Sequence, residues 1–348
     1  MQDGGASPSV TGSAGIAGRL RRIGPAMRIF LAALALRLVL APFFDFCFDD
    51  AYITFRVADN IAGGHGMVFN EGERVLVTSA PLHAMLMVPG ELLGIGSPVW
   101  SRLIGSLASA ASCGILYLLL RGRVRRGLLV LAVTALLLSP FSIFMALTGM
   151  ESPVVSMLLL LATLLYRDGH GLRLGLVLGA CFLVRPEGAF AAALFGLAVL
   201  LFRRDIAWRA LPIPAAVAGG WLAFSFAVFG SPLPHSMVAK EAFFATHGCP
   251  PLLNAGVVSK LLWATIPLFP AMVLCLPCGL RSTIRRRGEF LPMAVWTCLV
   301  PAAQVFSGFN LPWWYVDQIA PTMLLLLVLG AEDLLESRPG LRLGAVLR

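Results

Sequence analysis

Long apolar runs set off by short polar clusters make up most of this chain. The runs fall at about 26–44, 98–120, 127–148, 152–166, 172–188, 189–202, 208–229, 256–280, 290–309 and 316–332. An α-helix needs about 20 predominantly apolar residues to cross a hydrocarbon layer of about 30 Å. The pattern therefore predicts an all-α, polytopic integral membrane protein of about ten transmembrane helices. Several runs are shorter than that length, so their edges must shift or their helices bend. Gly175 and Gly179, and Gly105 and Ser109, have the small-xxx-small spacing that lets helices approach closely.

Two intervals interrupt the pattern, 45–97 and 230–255. The first is too long for a turn and too apolar for a disordered linker. Its segment DDAYITFRVADNIAGG places Tyr52, Phe55, Val57 and Ile61 at near-helical spacing before a Gly63-Gly64 stop, which predicts a helix lying along the membrane surface. Residues 80–95 predict a second such helix or a hairpin broken at Pro89-Gly90. Either would form a lid or wall at the outer interface.

The domain reading is simple. Residues 1–18, rich in Gly, Ser and Ala, read as a disordered cytoplasmic tail, 19–333 as one transmembrane domain and 334–348 as a second cytoplasmic tail. The arginines of 19–28 followed by an apolar stretch have the order of a signal peptide, but the stretch is too long and lacks a clean cleavage signal. It reads as an uncleaved first span.

Composition narrows the class. Of 348 residues 58% are apolar and 13% charged, and the mean hydropathy is +0.84. Too little polar side chain is present to cover a soluble surface of this size. The net charge of +9 does not form a nucleic-acid-binding face, because the basic residues fall in short clusters between apolar runs, as in membrane loops. A cytoplasmic N-terminus places 20 of the 27 basic residues on one side. The long loops and most acidic residues then face the other side, with both termini cytoplasmic. The seven cysteines lie mostly in apolar stretches and read as small core residues, since the CxxC of Cys275 and Cys278 has no second pair to complete a zinc site.

Candidate chemistry gathers at the outer ends of the spans. Asp49 and Asp50 follow the first apolar run. Adjacent carboxylates at that depth can supply a base, a metal ligand or both, or can serve as an N-cap for the surface helix. Glu151, in LTGMESP, is either a turn residue or an acid facing the cavity. Arg185 and Glu187, in FLVRPEGAF, interrupt apolar sequence on the side that should lack basic residues, so Arg185 requires a partner such as Glu187, a backbone carbonyl or an anionic ligand. In the second loop, Ser231, His235 and Lys240 provide hydrogen-bonding groups, and Lys240 suits a phosphate. His65, His83 and His247 read as ordinary loop residues. Trp313, Trp314 and Tyr315 suit an interfacial aromatic belt or a sugar-stacking surface, and Asp317 beside them could bind hydroxyls. No P-loop, HExxH, GxSxG or dinucleotide fingerprint is present, which argues against ATP-driven transport, zinc proteolysis, serine hydrolysis and a fused redox domain.

At DDAYITFRVADNIAGGHGMVFNEGERV the chain resembles the GT-C superfamily of polyprenyl-phosphate-dependent membrane glycosyltransferases, and within it the bacterial terminal arabinofuranosyltransferases. The matching positions are Asp49, Asp50, Tyr52, Phe55, Arg56, Gly64, His65, Gly66, Phe69, Asn70 and Gly72. TGMESP around Glu151, VRPEGAF around Arg185 and Glu187, and FGSPLPHSMVAK around His235 and Lys240 are similar to the same family.

The resemblance implies transfer of a sugar, a pentose such as arabinofuranose among the candidates, from a polyprenyl-phosphate donor to a glycan, lipid or protein acceptor. The site would face the periplasm of a bacterial inner membrane, and the product would serve cell-envelope glycan assembly. Asp50 would be the base, with Asp49 tuning it or both holding a divalent cation such as Mg or Mn. Arg185 and Lys240, helped by Arg56, would stabilise the leaving phosphate, and Glu151 and Glu187 would orient these cations or contact the sugar. A glycolipid transporter or flippase and a noncatalytic assembly protein are the competing classes. The first should show inverted repeats and polar residues across the bilayer, and the second should tolerate loss of the aspartate pair.

Overall fold

A computed structural model describes residues 24–235, 269–285, 288–306 and 313–337. The expected N-terminal tail, most of the C-terminal one, and Lys240 and His247 lie outside these residues. The described elements are α1 (Pro25–Leu40), α2 (Asp49–Ala62), α3 (Pro81–Leu92), α4 (Ser97–Leu120), α5 (Arg126–Leu138), α6 (Pro140–Ala146), α7 (Ser152–Asp168) and α8 (Gly171–Val184). They continue with α9 (Gly188–Phe202), α10 (Ala207–Ala210), α11 (Pro212–Phe229), α12 (Phe269–Arg285), α13 (Leu291–Phe306) and α14 (Trp313–Ser337). No strand occurs among the described residues.

Within the described residues the expected spans fall on helices, 127–148 on two, but length separates them. Among the described residues four segments are long and apolar enough to cross a membrane: Pro25–Phe43, Ser97–Leu120, Arg204–Phe229 and Tyr315–Ser337. The pair α5 and α6, bent by 45° at Ser139-Pro140, adds a broken fifth. Gly171–Val184, Gly188–Phe202 and Leu291–Ala302 are apolar but shorter than a full crossing. Within the described residues the apolar runs thus translate into helices of unequal length.

Small residues bring the helices together where the spacing predicts. A side chain at Gly105 of α4 would collide with the Ala146 carbonyl at the end of α6, and Gly175 of α8 faces the Ala210 carbonyl in the same way. One turn beyond Gly105, Ser109 accepts from Nε of the fully buried Arg37 at 2.9 Å and lies 3.0 Å from Ser142, so a guanidinium inside the bundle is satisfied by hydroxyls. At the basic end, Arg123 pairs with Glu289 and Arg125 with Glu332, tying the turn after α4 to the start of α13 and the end of α14.

At the opposite end lie the two expected surface helices. The helix from Asp49 buries Ala51, Phe55 and Ala58 against Met87 of α3 and Met150. Tyr52 instead lies outside, about half exposed. The stretch 80–95 is helical from Pro81 to Leu92, through Pro89 and Gly90, so the hairpin alternative does not hold. Gly90 leaves room for the Trp100 ring, whose Nε1 donates to the Leu86 carbonyl at 2.8 Å, and that contact holds α3 against α4. The two long loops also touch, since the His235 amide donates to the Leu76 carbonyl at 2.8 Å.

Candidate functional site

Four distant segments meet around one tight turn, Thr148–Ser152. Gly149 has φ +84°, and a Cβ there would lie 2.7 Å from the Phe55 ring and 3.2 Å from Ala51, so only glycine admits α2 this close. The Phe48 amide, immediately before the aspartate pair, donates to the Thr148 carbonyl at 3.1 Å. From α3, Nε2 of the buried His83 donates to the Gly149 carbonyl at 3.2 Å. The turn therefore fixes where Asp49 and Asp50 begin their helix relative to Glu151.

Glu151 in turn receives Arg185. The guanidinium donates from Nη1 to Glu151 at 2.6 Å and from Nε to Glu187 at 3.2 Å. The hydroxyl of Tyr315 donates to the other Glu187 oxygen at 2.6 Å, and its ring lies 4.4 Å from the Arg185 guanidinium carbon. Arg185 is 8% exposed and Glu151 9%, so this is a desolvated ion cluster linking the starts of α7, α9 and α14. Burial alone would lower the Arg185 pKa, but Glu187 and then Glu151 hold it above the ordinary arginine range. Burial likewise opposes the charge on Glu187, and Arg185 with the Tyr315 hydroxyl more than offsets it, so its carboxyl titrates below the ordinary value. Burial pushes the His83 pKa down, only partly countered by Glu151.

The aspartates themselves are exposed, in the first turn of α2. Asp49 Oδ1 accepts the Asp50 amide at 2.9 Å, but the N-cap position is Phe48 and carries no side-chain capping bond, so neither aspartate is the N-cap that the alternative reading expects. Among the described residues no group of three or more His, Cys, Asp or Glu side chains is gathered. Asp49 and Asp50 would therefore have to share a divalent cation with substrate oxygens or water.

The remaining candidates divide. Arg56 is exposed and bound locally, to Asp59 at 3.2 Å and to the Phe69 carbonyl at 3.3 Å, clamping α2 to the segment after His65. Buried Asn60 strengthens that clamp through the Val68 and Phe69 carbonyls. Asp317 stands apart from the Arg185 cluster. It is 3% exposed and lines an interior cavity of about 10 Å³ with Ser109, Ser112, Ser142 and Ser156, so a hydroxyl-binding role at the surface does not match its position. His235 contributes its backbone to the joint between the loops. Trp314 is the second residue of α14, before Tyr315 in the chain. His83, read from sequence as an ordinary loop residue, proves central; its signal was its place in a helix of otherwise apolar character.

No family model matches the chain. The terminal β-(1→2)-arabinofuranosyltransferase of Mycobacterium tuberculosis is 28% identical over 271 residues, covering 70% of this chain and 42% of that protein. In overall structure the chain is similar to ArnT from Cupriavidus metallidurans bound to undecaprenyl phosphate, with a TM-score of 0.55 at 16% identity over 92% of this chain and 60% of that one. It is likewise similar to the Archaeoglobus fulgidus oligosaccharyltransferase, with a TM-score of 0.54 at 13% identity over 91% of this chain and 51% of that one. The chain has the GT-C fold. It spans between two fifths and three fifths of the length of these relatives. The GT-C frame accounts for the all-helical, membrane-embedded body. On it, the Thr148–Ser152 turn joins the signature helix from Asp49 to Arg185.

Proposed function

We propose that this chain is a glycosyltransferase of the bacterial inner membrane. It moves a sugar, a pentose such as arabinofuranose, from a polyprenyl-phosphate donor to a glycan, lipid or protein acceptor at the periplasmic face, in cell-envelope assembly. The observation that carries the reading is the Thr148–Ser152 turn, which binds the aspartate-bearing helix on one side and, through Glu151, the buried Arg185 on the other. Likeness to an arabinofuranosyltransferase supports the sugar class, and likeness to a protein bound to undecaprenyl phosphate supports the lipid.

In this reading Asp50 takes the proton of the acceptor hydroxyl as its oxygen attacks the anomeric carbon, and Asp49 tunes that base. The carbon–oxygen bond to phosphate breaks on the opposite face, so the configuration inverts in one displacement. The donor phosphodiester leaves as a polyprenyl phosphate monoester, whose added charge Arg185 and Lys240 stabilise. Glu151, Glu187 and Tyr315 hold Arg185 in place. Trp314 and His235 border the acceptor and sugar from α14 and the second loop.

The test is incubation of purified protein with a panel of polyprenyl-phosphate sugars and envelope acceptors, with and without EDTA, followed by mass spectrometry of both products. Appearance of polyprenyl phosphate together with a glycosylated acceptor supports the reading. Absence of both across the panel overturns it.

A further inference from the structure

Near the aspartate pair, one guanidinium lacks an adequate counter-ion. Arg102 sits in the second turn of α4, at the end of that helix which meets the site. Its neighbour Ser101 lies against Gly149, and Trp100 and Ile104 pack on the cluster of Ala51, Phe55 and Met150. The Arg102 side chain is 16% exposed, and its Nε is buried without a hydrogen-bond partner. Its ion pair is with Asp45, at 3.9 Å, and that carboxylate is fully exposed to water. Cys47, between Asp45 and the aspartate pair, lies within charge and hydrogen-bond reach of the guanidinium, a weak partner for it.

The contrast with the other basic side chains is physical. Arg185 is held at 2.6 and 3.2 Å by two carboxylates, so its charge is already answered. Arg123 and Arg125 meet their glutamates at 3.0 and 3.2 Å. A guanidinium largely withdrawn from water, with a donor unspent and a long contact to a solvated acid, is arranged for an incoming anion. Its planar fork matches two phosphate oxygens, which the point charge of a lysine does not. Displacing Asp45 requires little, because that carboxylate is hydrated already.

We propose that Arg102 binds the phosphate of the lipid-linked donor, beside the chain segment 45–50 that carries Asp50. This rests on the glycosyltransferase reading and deepens it by assigning a phosphate contact that the family-like motifs omit. The ligand is a polyprenyl phosphate, whose tail places the headgroup at the membrane boundary where α4 begins. Arg102 engages the lipid phosphate, and Arg185 stays with Glu151 and Glu187 until the leaving group gains charge.

The test uses the full chain in phosphatidylcholine nanodiscs, with undecaprenyl phosphate, phosphatidylglycerol and inorganic phosphate as separate probes. Wild type should bind undecaprenyl phosphate more tightly than either other probe. Arg102→Gln should weaken that binding at least tenfold, Arg102→Lys should fall between the two, and Asp45→Asn should bind as tightly as wild type or more so. Equal binding by wild type and Arg102→Gln overturns the proposal. If Arg102→Gln does not elute as folded protein, full-strength binding by Arg102→Lys overturns it instead. Arg102-dependent binding of phosphatidylglycerol or inorganic phosphate as tight as that of undecaprenyl phosphate also overturns it, by showing a general anion contact. Arg102-dependent binding of undecaprenyl phosphate by a protein that transfers no sugar leaves the phosphate site standing and removes the enzyme reading.

Discussion

Replacing Glu151 by Gln removes one charge from the buried cluster with almost no change of volume. Two unit charges about 4 Å apart at an effective dielectric near 20 interact by about 4 kcal/mol. Three features reduce the net loss. Glu187 still faces Arg185, the glutamine oxygen still accepts the Nη1 donor through a bond roughly half as strong, and the cost of burying the Glu151 carboxylate disappears. The expected destabilisation is about 2 kcal/mol, or a fall in unfolding temperature of roughly 3 °C for a chain of this size. Detergent-solubilised protein followed by tryptophan fluorescence at a fixed scan rate measures it, against Arg185→Met and the double variant. The pair should couple by more than about 1 kcal/mol, since each substitution removes what the other charge needs. Additive effects, or a Glu151→Gln protein as stable as wild type, would refute the ion cluster as the tie between the starts of α7 and α9.

Three other outcomes follow from the same geometry. Gly149→Ala forces a Cβ against the Phe55 ring at φ +84° and should destabilise by at least about 1–2 kcal/mol, read as an earlier unfolding transition; an unchanged transition would contradict the close seating of α2 on the turn. The lowered titration of Glu187 gives a definite sign with pH: the unfolded chain binds its proton first, so this contribution is complete above the ordinary glutamate value of about 4.3 and lost as pH falls below it. A Glu187→Gln protein should therefore show a smaller acid loss of stability than wild type over that window. Ser109→Ala strips the Arg37 Nε of its acceptor inside the bundle and should cost about 1–3 kcal/mol, whereas Ser112→Ala removes only a bond to the Ala108 carbonyl of its own helix and should cost less; equal unfolding temperatures for the two would refute the distinction.

Much of the architecture was legible because apolar run length and basic clustering obey the bilayer, which leaves few alternatives. The helix from Asp49 was readable by its spacing and its Gly63-Gly64 stop, although the residues it buries begin at Ala51 and Tyr52 points elsewhere. That face was hidden because alanine is small enough to serve a tight contact or an exposed position equally well. Partners for Arg185 were legible in kind, since a cation at that depth demands an acid, and Glu187 stands two residues away. Its shorter contact, Glu151, is 34 residues distant and depends on how α7 and α8 pack, which periodicity does not encode. Asp317 looked like part of an aromatic, hydroxyl-binding edge from its neighbours in sequence. A helix turns about 100° per residue, so Tyr315 reaches the Arg185 cluster while Asp317 enters the serine-lined interior. His83 reads as an ordinary loop residue and Arg102 carries no motif for a common reason: each is a single ionisable residue within largely apolar sequence, and only the fold shows what it faces.

The most direct measurement compares wild type with Asp50→Asn, a change that removes basicity at nearly constant volume. Each folded protein would be supplied with polyprenyl-phosphate arabinofuranose and an arabinan acceptor, and the free polyprenyl phosphate quantified by mass spectrometry. Wild type should release the lipid phosphate in step with extended acceptor, and the variant should release none above background at an unchanged unfolding temperature. Equal release by both proteins would contradict the assignment of Asp50, and release by neither would contradict the glycosyltransferase itself.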